Sequence, residues 1–412
     1  MARIDLAIYT EDPDEADVLR AYWTLADDGE TWAQTVAAVR EKWSLKQQQL
    51  TQIIQACGTA HLPEVRCPQC GEVPWATGRK HFTELIRQGN ALCDSCRAVA
   101  QVEREKAAEE VAAKQRTELL KAFPVRCDGD LTPDDLSLFD AVALHTLFSD
   151  PAVEDAGTTT PTNIWPEERP WAPGSVRYDF ERRLVRSEPV AIRAHPDSHA
   201  DAFAWEGDAP TGSFYLGKVS YYLLGAADDL AARPPRLVGA LNQVLREGPW
   251  PESWLGQWPD LWNELALADA QAYLDMKLGE HRLEMKQGEG TRTALADALA
   301  TFSVGQVFNF IYRATKDSAA YYQRGGVNKR QAANSTVGRI SAAADRARAS
   351  GWEIKSFGRP WNLPLSAIGE VFFSKVMWQA DMMQVAVGAA HPPSHAWGDG
   401  QPDASADEPT GE

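Results

Sequence analysis

Four of the six cysteines fall in one segment, as two CxxC pairs: Cys67 with Cys70, and Cys93 with Cys96. A CxxC turn lets one tight knuckle present two sulfurs to the same point. Two knuckles supply four soft thiolates, the donor set that tetrahedral Zn2+ takes, and leave no coordination position open for a substrate. The expected occupant is therefore a structural Zn2+. An iron–sulfur cluster is the competing occupant of a four-cysteine set. Redox use of one pair would need a thioredoxin-like strand–helix setting, which the flanking residues lack. His61 and His81 flank the set and are expected to lie outside it. Cys57 and Cys127 have no partner at ligand spacing and read as small buried hydrophobes.

Between the knuckles, "KHFTELIRQG" predicts a short helix, and Pro68, Gly71, Gly89 and Asn90 supply turn chemistry. This segment resembles the zinc-ribbon and treble-clef class of tetracysteine modules. The resemblance covers residues 67–96 only, and no family is recognised for the whole chain. It implies a metal that takes the place of the hydrophobic core so short a segment cannot build.

The elements that would carry this module are helical. Residues 12–57 predict three short helices, the first burying Val18, Leu19, Tyr22, Trp23 and Leu25 and ending at Gly29. The second takes Trp32, Val36, Val39 and Trp43. Ser44 is expected to cap the third, with Gln47 as its capping-box partner, and Leu45, Leu50, Ile53 and Ile54 as its apolar face. The close spacing of the last two resembles a helix-turn-helix. Past Cys96 a run of Ala, Glu, Lys and Arg predicts one long exposed helix, roughly 40 Å in length, stopped by Pro124, that serves as a spacer or dimerisation arm. A second region begins near Leu131, with Thr132 as N-cap and Pro133 at the first helical position. Residues 150–175 read as a loop. "EPVAIRAH" and "GSFYLGKVSYYLL", and more weakly "AFAW", read as short strands, and the pattern is helical from Leu230 almost to the end. The expected organisation is mainly α and multidomain: a helix-turn-helix-like unit (1–62), a zinc module (63–97), a linker helix (98–124), a helical C-terminal domain with a few short strands (128–390) and a disordered acidic tail (391–412).

Charge narrows the class of partner. The 412 residues carry a net charge of −17, which argues against a chain that coats nucleic acid or anionic membranes with its whole surface. No targeting segment and no run of 18 apolar residues is read, which together with reduced thiols places the chain in a cytoplasm. Only residues 311–360 reverse the sign strongly, with 10 basic against 3 acidic side chains, while residues 128–310 sum to −15. Arg313, Lys316, Lys329, Arg330 and Arg339 in this strip, interleaved with Tyr312, Tyr321, Tyr322, Trp352 and Trp361, have the composition of a nucleic-acid groove. They equally have that of a helix pair docked on the acidic remainder of the chain. The third helix adds Lys46, Gln47, Gln48 and Gln52, with Gln49 and Gln55. Glutamine can pair bidentately with adenine, although it is also an ordinary surface residue of helices, and residues 1–60 sum to −5.

Other stretches suggest chemistry and are read as structure. Trp250, Trp254, Trp258 and Trp262 are expected to be core, on two short helices that begin near Pro251 and Pro259. Asp275, Glu280, His281 and Glu284 are expected on a solvated helical face, and Thr291 is expected to cap the next helix. The function expected is zinc-dependent DNA binding without catalysis, with a regulatory role. The alternatives are a protein–protein adaptor built on the zinc module and helix, and an enzyme acting on nucleic acid through the acidic cluster at His281.

Overall fold

The structure, a computed structural model, describes residues 3–398 except 30, 90–91, 128, 151–152, 154–155, 227–228, 352 and 379–381. The fold is mainly α, as expected: 56% helical, with 13 helices and a few short antiparallel strands among the described residues. No helix among the described residues is long and apolar enough to cross a membrane. The chain divides into two compact units, Met1–Lys114 and Gln115–Glu412.

The first unit opens with a strand the sequence left unread, β1 (Asp5–Ile8). Asp12 then caps α1 (Pro13–Trp23), its carboxylate accepting from the amide of Asp14 at 2.8 Å, with Pro13 at the first turn. The second helix is shorter than expected. It is α2 (Val36–Lys42), capped by Thr35, because Trp32 is used elsewhere, in an isolated bridge to Leu25. The third is α3 (Gln47–Ala56), and its cap also differs. Ser44 sits at φ 52, and Lys46 is the N-cap, its amide bonded by the Gln49 side chain at 2.8 Å. Strand β2 (Gly58–His61) pairs antiparallel with β1 and with β3 (Trp75–Ala76), so a three-stranded sheet with β2 in the middle backs the helices. Then come α4 (Arg79–Gln88), as expected between the knuckles, and α5 (Asp94–Ala122). The segments read separately as 1–62 and 63–97 share one hydrophobic core, in which Leu19, Trp23, Val39 and Leu50 pack with Leu62, Val65, Phe82 and Leu85. The 29 residues of α5 are exposed almost throughout; Val99, Val102 and Val111 lie open, and Leu119, near its end, is buried in the core of the second unit.

In the second unit Thr132 and Pro133 start a 3-10 turn, Pro133–Asp135, and not the helix. Ser137 caps α6 (Leu138–Phe148), every residue of which is buried. α7 (Arg177–Leu184) follows. Two small antiparallel pairs come next: β4 (Ile192–Ala194) with β7 (Tyr221–Leu223), and β5 (Phe203–Glu206) with β6 (Ala209–Phe214). The tryptophan-rich stretch forms one helix, α9 (Glu252–Glu280), preceded by α8 (Arg233–Glu247). Pro259 removes one amide from the ladder of α9 without ending it. Trp254 and Trp258 before it and Leu261 and Trp262 after it are buried in the same core, and this packing holds both halves in line. Helices α10 (Glu289–Leu299), α11 (Val304–Gln323) and α12 (Lys329–Ser350) complete the helical layer around α9, and α13 (Ala367–Glu370) runs on into a π turn, Val371–Val376. α10 begins at Glu289, so Thr291 is a buried helical residue and not the cap. Of the stretch read as a disordered tail, residues 391–398 hold a 3-10 turn, Ser394–Trp397, with Ala396 buried; 399–412 lie outside the described residues.

Candidate metal centre

The two knuckles are built by different means. The first is a hairpin-like loop leading into β3. The amide of Gly71 bonds to the carbonyl of Cys67 at 2.9 Å, the amide of Cys67 to that of Glu72 at 2.9 Å, and Gly71 turns the chain at φ 77, where a side chain would be strained. The second is a helix start. Gly89 ends α4 at φ 66, Cys93 immediately precedes α5, and Cys96 lies in its first turn, with the Arg97 amide bonded to the carbonyl of Cys93 at 2.9 Å. Asn90, expected among the turn residues here, lies outside the described residues.

The four sulfurs converge. All ligand atoms of Cys67, Cys70, Cys93 and Cys96 lie within 4.8 Å of one another, and Cys70 Sγ is 3.5 Å from Cys93 Sγ. That separation is far beyond a disulfide bond of about 2.05 Å, and Cys67, Cys70, Cys93 and Cys96 are thiols outside any disulfide. Four sulfurs at about 2.3 Å from one tetrahedral ion stand about 3.8 Å apart, so this cluster could hold a metal ion. Cys67 and Cys93 are buried, Cys96 is half-buried and Cys70 exposed.

The electrostatics of the thiols follow from this crowding. The backbone amide of Cys93, with help from those of Cys70 and Gln69, holds the Cys67 thiol down at about 6. For Cys70 the amide of Glu72 pulls downward, but burial and hydrogen bonding to Cys93 leave it raised; Cys96 is pushed well up by its contact with Cys70. The Cys67 thiolate is thus favoured, while Cys70 and Cys96 resist ionisation. A divalent cation would relieve that resistance, since each sulfur then gains an opposite charge.

Both histidines lie outside the set. Among the described residues the metal-competent group is the four cysteines alone. The ring of His61 shares a hydrogen bond with Thr59 at 3.0 Å, and that of His81 with the Thr77 hydroxyl at 3.1 Å. The reading of Cys57 and Cys127 as buried hydrophobes needs correction. Cys57 is half-buried and donates to Glu15 at 3.3 Å, and Cys127 is exposed and accepts from Arg233 at 3.2 Å.

The sequence offers no sign of Arg79, the residue that fixes α4 between the knuckles. Only 8% exposed, it lies between two rings, 4.5 Å from the centres of both Tyr22 and Trp32. Its guanidinium donates to the carbonyl of Tyr22 through Nε at 2.8 Å and through Nη2, and to that of Gln34 through Nη1 at 2.6 Å. The partners are remote in sequence, so no local pattern marks them.

The residues singled out for polyanion contact divide between the units. On α3, Lys46, Gln47, Gln48, Gln52 and Gln55 are all exposed, while Gln49 is engaged at the cap. In the second unit Arg313, Lys316, Lys329 and Arg330 are exposed and Arg339 is half-buried. The acidic neighbours that could have neutralised this strip do so only in part. Arg348 pairs with Asp297 and Asp345, and Arg359 with Asp269. Among the described residues Arg313, Lys316, Lys329, Arg330 and Arg339 form no ion pair. Trp361 is 95% exposed, Tyr312 and Tyr322 are open, and Trp352 lies outside the described residues. Trp250, Trp254, Trp258 and Trp262 are buried, in edge-to-face pairs, as expected of core. Asp275, Glu280, His281 and Glu284 are exposed and form no metal-competent cluster, Glu280 being paired with Lys277 at 2.8 Å. Comparison with protein-family models, with curated proteins and with solved structures returns no significant match.

Proposed function

We propose that this chain is a cytoplasmic, zinc-dependent DNA-binding protein without catalytic activity, with a regulatory role. The observation that carries the proposal is the convergence of four thiols on one point, in a unit that also carries an exposed glutamine-rich helix. Four soft sulfurs fit Zn2+, and a four-thiolate shell leaves no position for a reacting group, so Cys67, Cys70, Cys93 and Cys96 would hold the ion structurally. When bound, the ion supplies cross-linking of the two knuckles and nothing else. Gln48 and Gln52, one turn apart on α3, can reach base edges. Lys329 and Arg330, which open α12, add two cations to a helix end whose dipole is already positive. Placing them there costs the helix, by about 0.3–1 kcal/mol each, and favours an anionic partner.

The test is binding of the full chain to a mixed-sequence DNA duplex at 50 and 200 mM salt. Saturable binding that weakens with salt, falls uniformly on K329Q/R330Q, and loses sequence preference on Q48A/Q52A is expected. No binding at 50 mM salt, or binding indifferent to salt, contradicts the proposal. The acidity of residues 1–60 and the exposed Val99, Val102 and Val111 on α5 favour a second reading, a protein–protein adaptor. Pull-down that fails once these three valines are changed to lysine, with no DNA affinity, would select it.

A further inference from the structure

α11 and α12 form a helical hairpin through the short turn after Gln323. Its level is set by Ser318, whose hydroxyl lies 3.1 Å from that of Ser335 and 2.9 Å from that of Thr336. Along one side the pair encloses a groove of about 630 Å³. Three guanidinium groups line it: Arg313 from α11, and Arg339 and Arg346 from α12. Asp317 is the one carboxylate among its described lining residues, and Phe310 and Ile354 line it as apolar groups.

Gathering like charges in one concavity raises their energy unless an anion joins them. Elsewhere this region meets that need within the chain. Arg348, two positions past Arg346, reaches Asp297 at 2.8 Å and Asp345 at 3.0 Å. Among the described residues none of the three groove arginines forms an ion pair. Arg339 is also held in place, its Nε 3.4 Å from the Ser335 hydroxyl and its guanidinium 5.8 Å from the centre of the Tyr321 ring. Guanidinium forks match phosphate oxygens in charge and geometry. Gly338 lines the groove and leaves open space there: a Cβ at this position would meet no atom within 4 Å.

We infer that this groove binds a small phosphorylated molecule. Its phosphates sit on Arg313, Arg339 and Arg346, and an uncharged portion faces Phe310 and Ile354. The inference does not depend on DNA binding.

The experiment is calorimetric titration of the full chain with inorganic pyrophosphate at fixed ionic strength. Saturable binding is expected, weakened about a hundredfold or more in R313Q/R339Q/R346Q and unchanged in K329Q/R330Q. Gly338→Leu keeps every charge, fills the groove and raises helix propensity. It should lose pyrophosphate affinity at undiminished thermal stability, which separates a blocked groove from a misfolded chain. Absence of saturable binding in the natural chain, or equal binding by Gly338→Leu, overturns the inference. A duplex that depends on the three arginines while pyrophosphate does not bind would assign the groove to a nucleic-acid backbone and also overturn it. Pyrophosphate binding of the expected pattern in a chain that binds no DNA would uphold it while removing the DNA-binding proposal.

Discussion

Arg79 offers the sharpest test of how the first unit is held. Replacing it with methionine keeps an unbranched apolar stem but removes three hydrogen bonds to the carbonyls of Tyr22 and Gln34 and a cation between two aromatic rings. A buried carbonyl left without a donor costs about 1–3 kcal/mol, and the Tyr22 carbonyl receives two of the three bonds. The lost cation–π contacts add roughly 1 kcal/mol. Against this, burial is the main influence on the Arg79 guanidinium and lowers its pKa, so removing the charge recovers part of the cost of desolvating it. The net is about 2 kcal/mol, or roughly thirtyfold in the opening equilibrium at 1.4 kcal/mol per tenfold. Hydrogen exchange read by mass spectrometry on the full chain measures this locally. Peptides covering α4 should exchange about thirtyfold faster in Arg79→Met. Arg79→Lys should fall between, since an ammonium keeps the charge but cannot fork to two carbonyls. Exchange of α4 within about threefold of the natural chain would refute the view that Arg79 pins this helix to α1.

Two further outcomes follow in the second unit. Arg359→Ala leaves Asp269, 5% exposed, buried without its cation, and thermal unfolding should register a loss of about 3–5 kcal/mol at neutral pH. Burial raises the Asp269 pKa in the folded state and Arg359 counters it, so removing Arg359 raises it further. A raised carboxyl contributes stability below its unfolded value of about 3.9 and loses it as pH climbs through the folded value. The penalty should therefore shrink as unfolding is measured toward pH 4, and a penalty that grows on acidification would be the wrong sign. Gly305→Ala would place a Cβ 2.4 Å from the carbonyl oxygen of Met383 and 2.5 Å from that of Phe357. Both are backbone atoms, so the substitution should cost several kcal/mol in chemical denaturation, of the order seen when a packed core is overfilled; a neutral outcome would mean that those segments do not close over the start of α11.

What could be read in advance was what is written locally. The cysteine spacing, the helix between the knuckles, the exposed α5 and the burial of the tryptophans each depend on residues within a few turns of one another. The errors came where distant groups decide. Trp32 looks helical but is held by Leu25 and Arg79, which shortens α2. Pro259 looks like a terminator but sits between buried turns that packing keeps collinear. The four residues of β1 have too short a pattern to announce a strand, and their pairing with β2 is set about fifty positions later. Arg79 carried no signal, because what distinguishes it is its setting of rings and carbonyls; for Arg313 and Arg339 the basic composition of the strip was legible, but not that they share one groove with Arg346 and lack an ion pair among the described residues.

The measurement that bears most directly on the central claim is the metal content of the full chain purified without chelator, taken with exchange protection of residues 58–97. One zinc per chain is expected, lost together with that protection in the C70S/C93S variant. A natural chain carrying less than about half an equivalent of zinc, or a C70S/C93S variant that keeps residues 58–97 protected, would contradict the claim that a metal orders this unit.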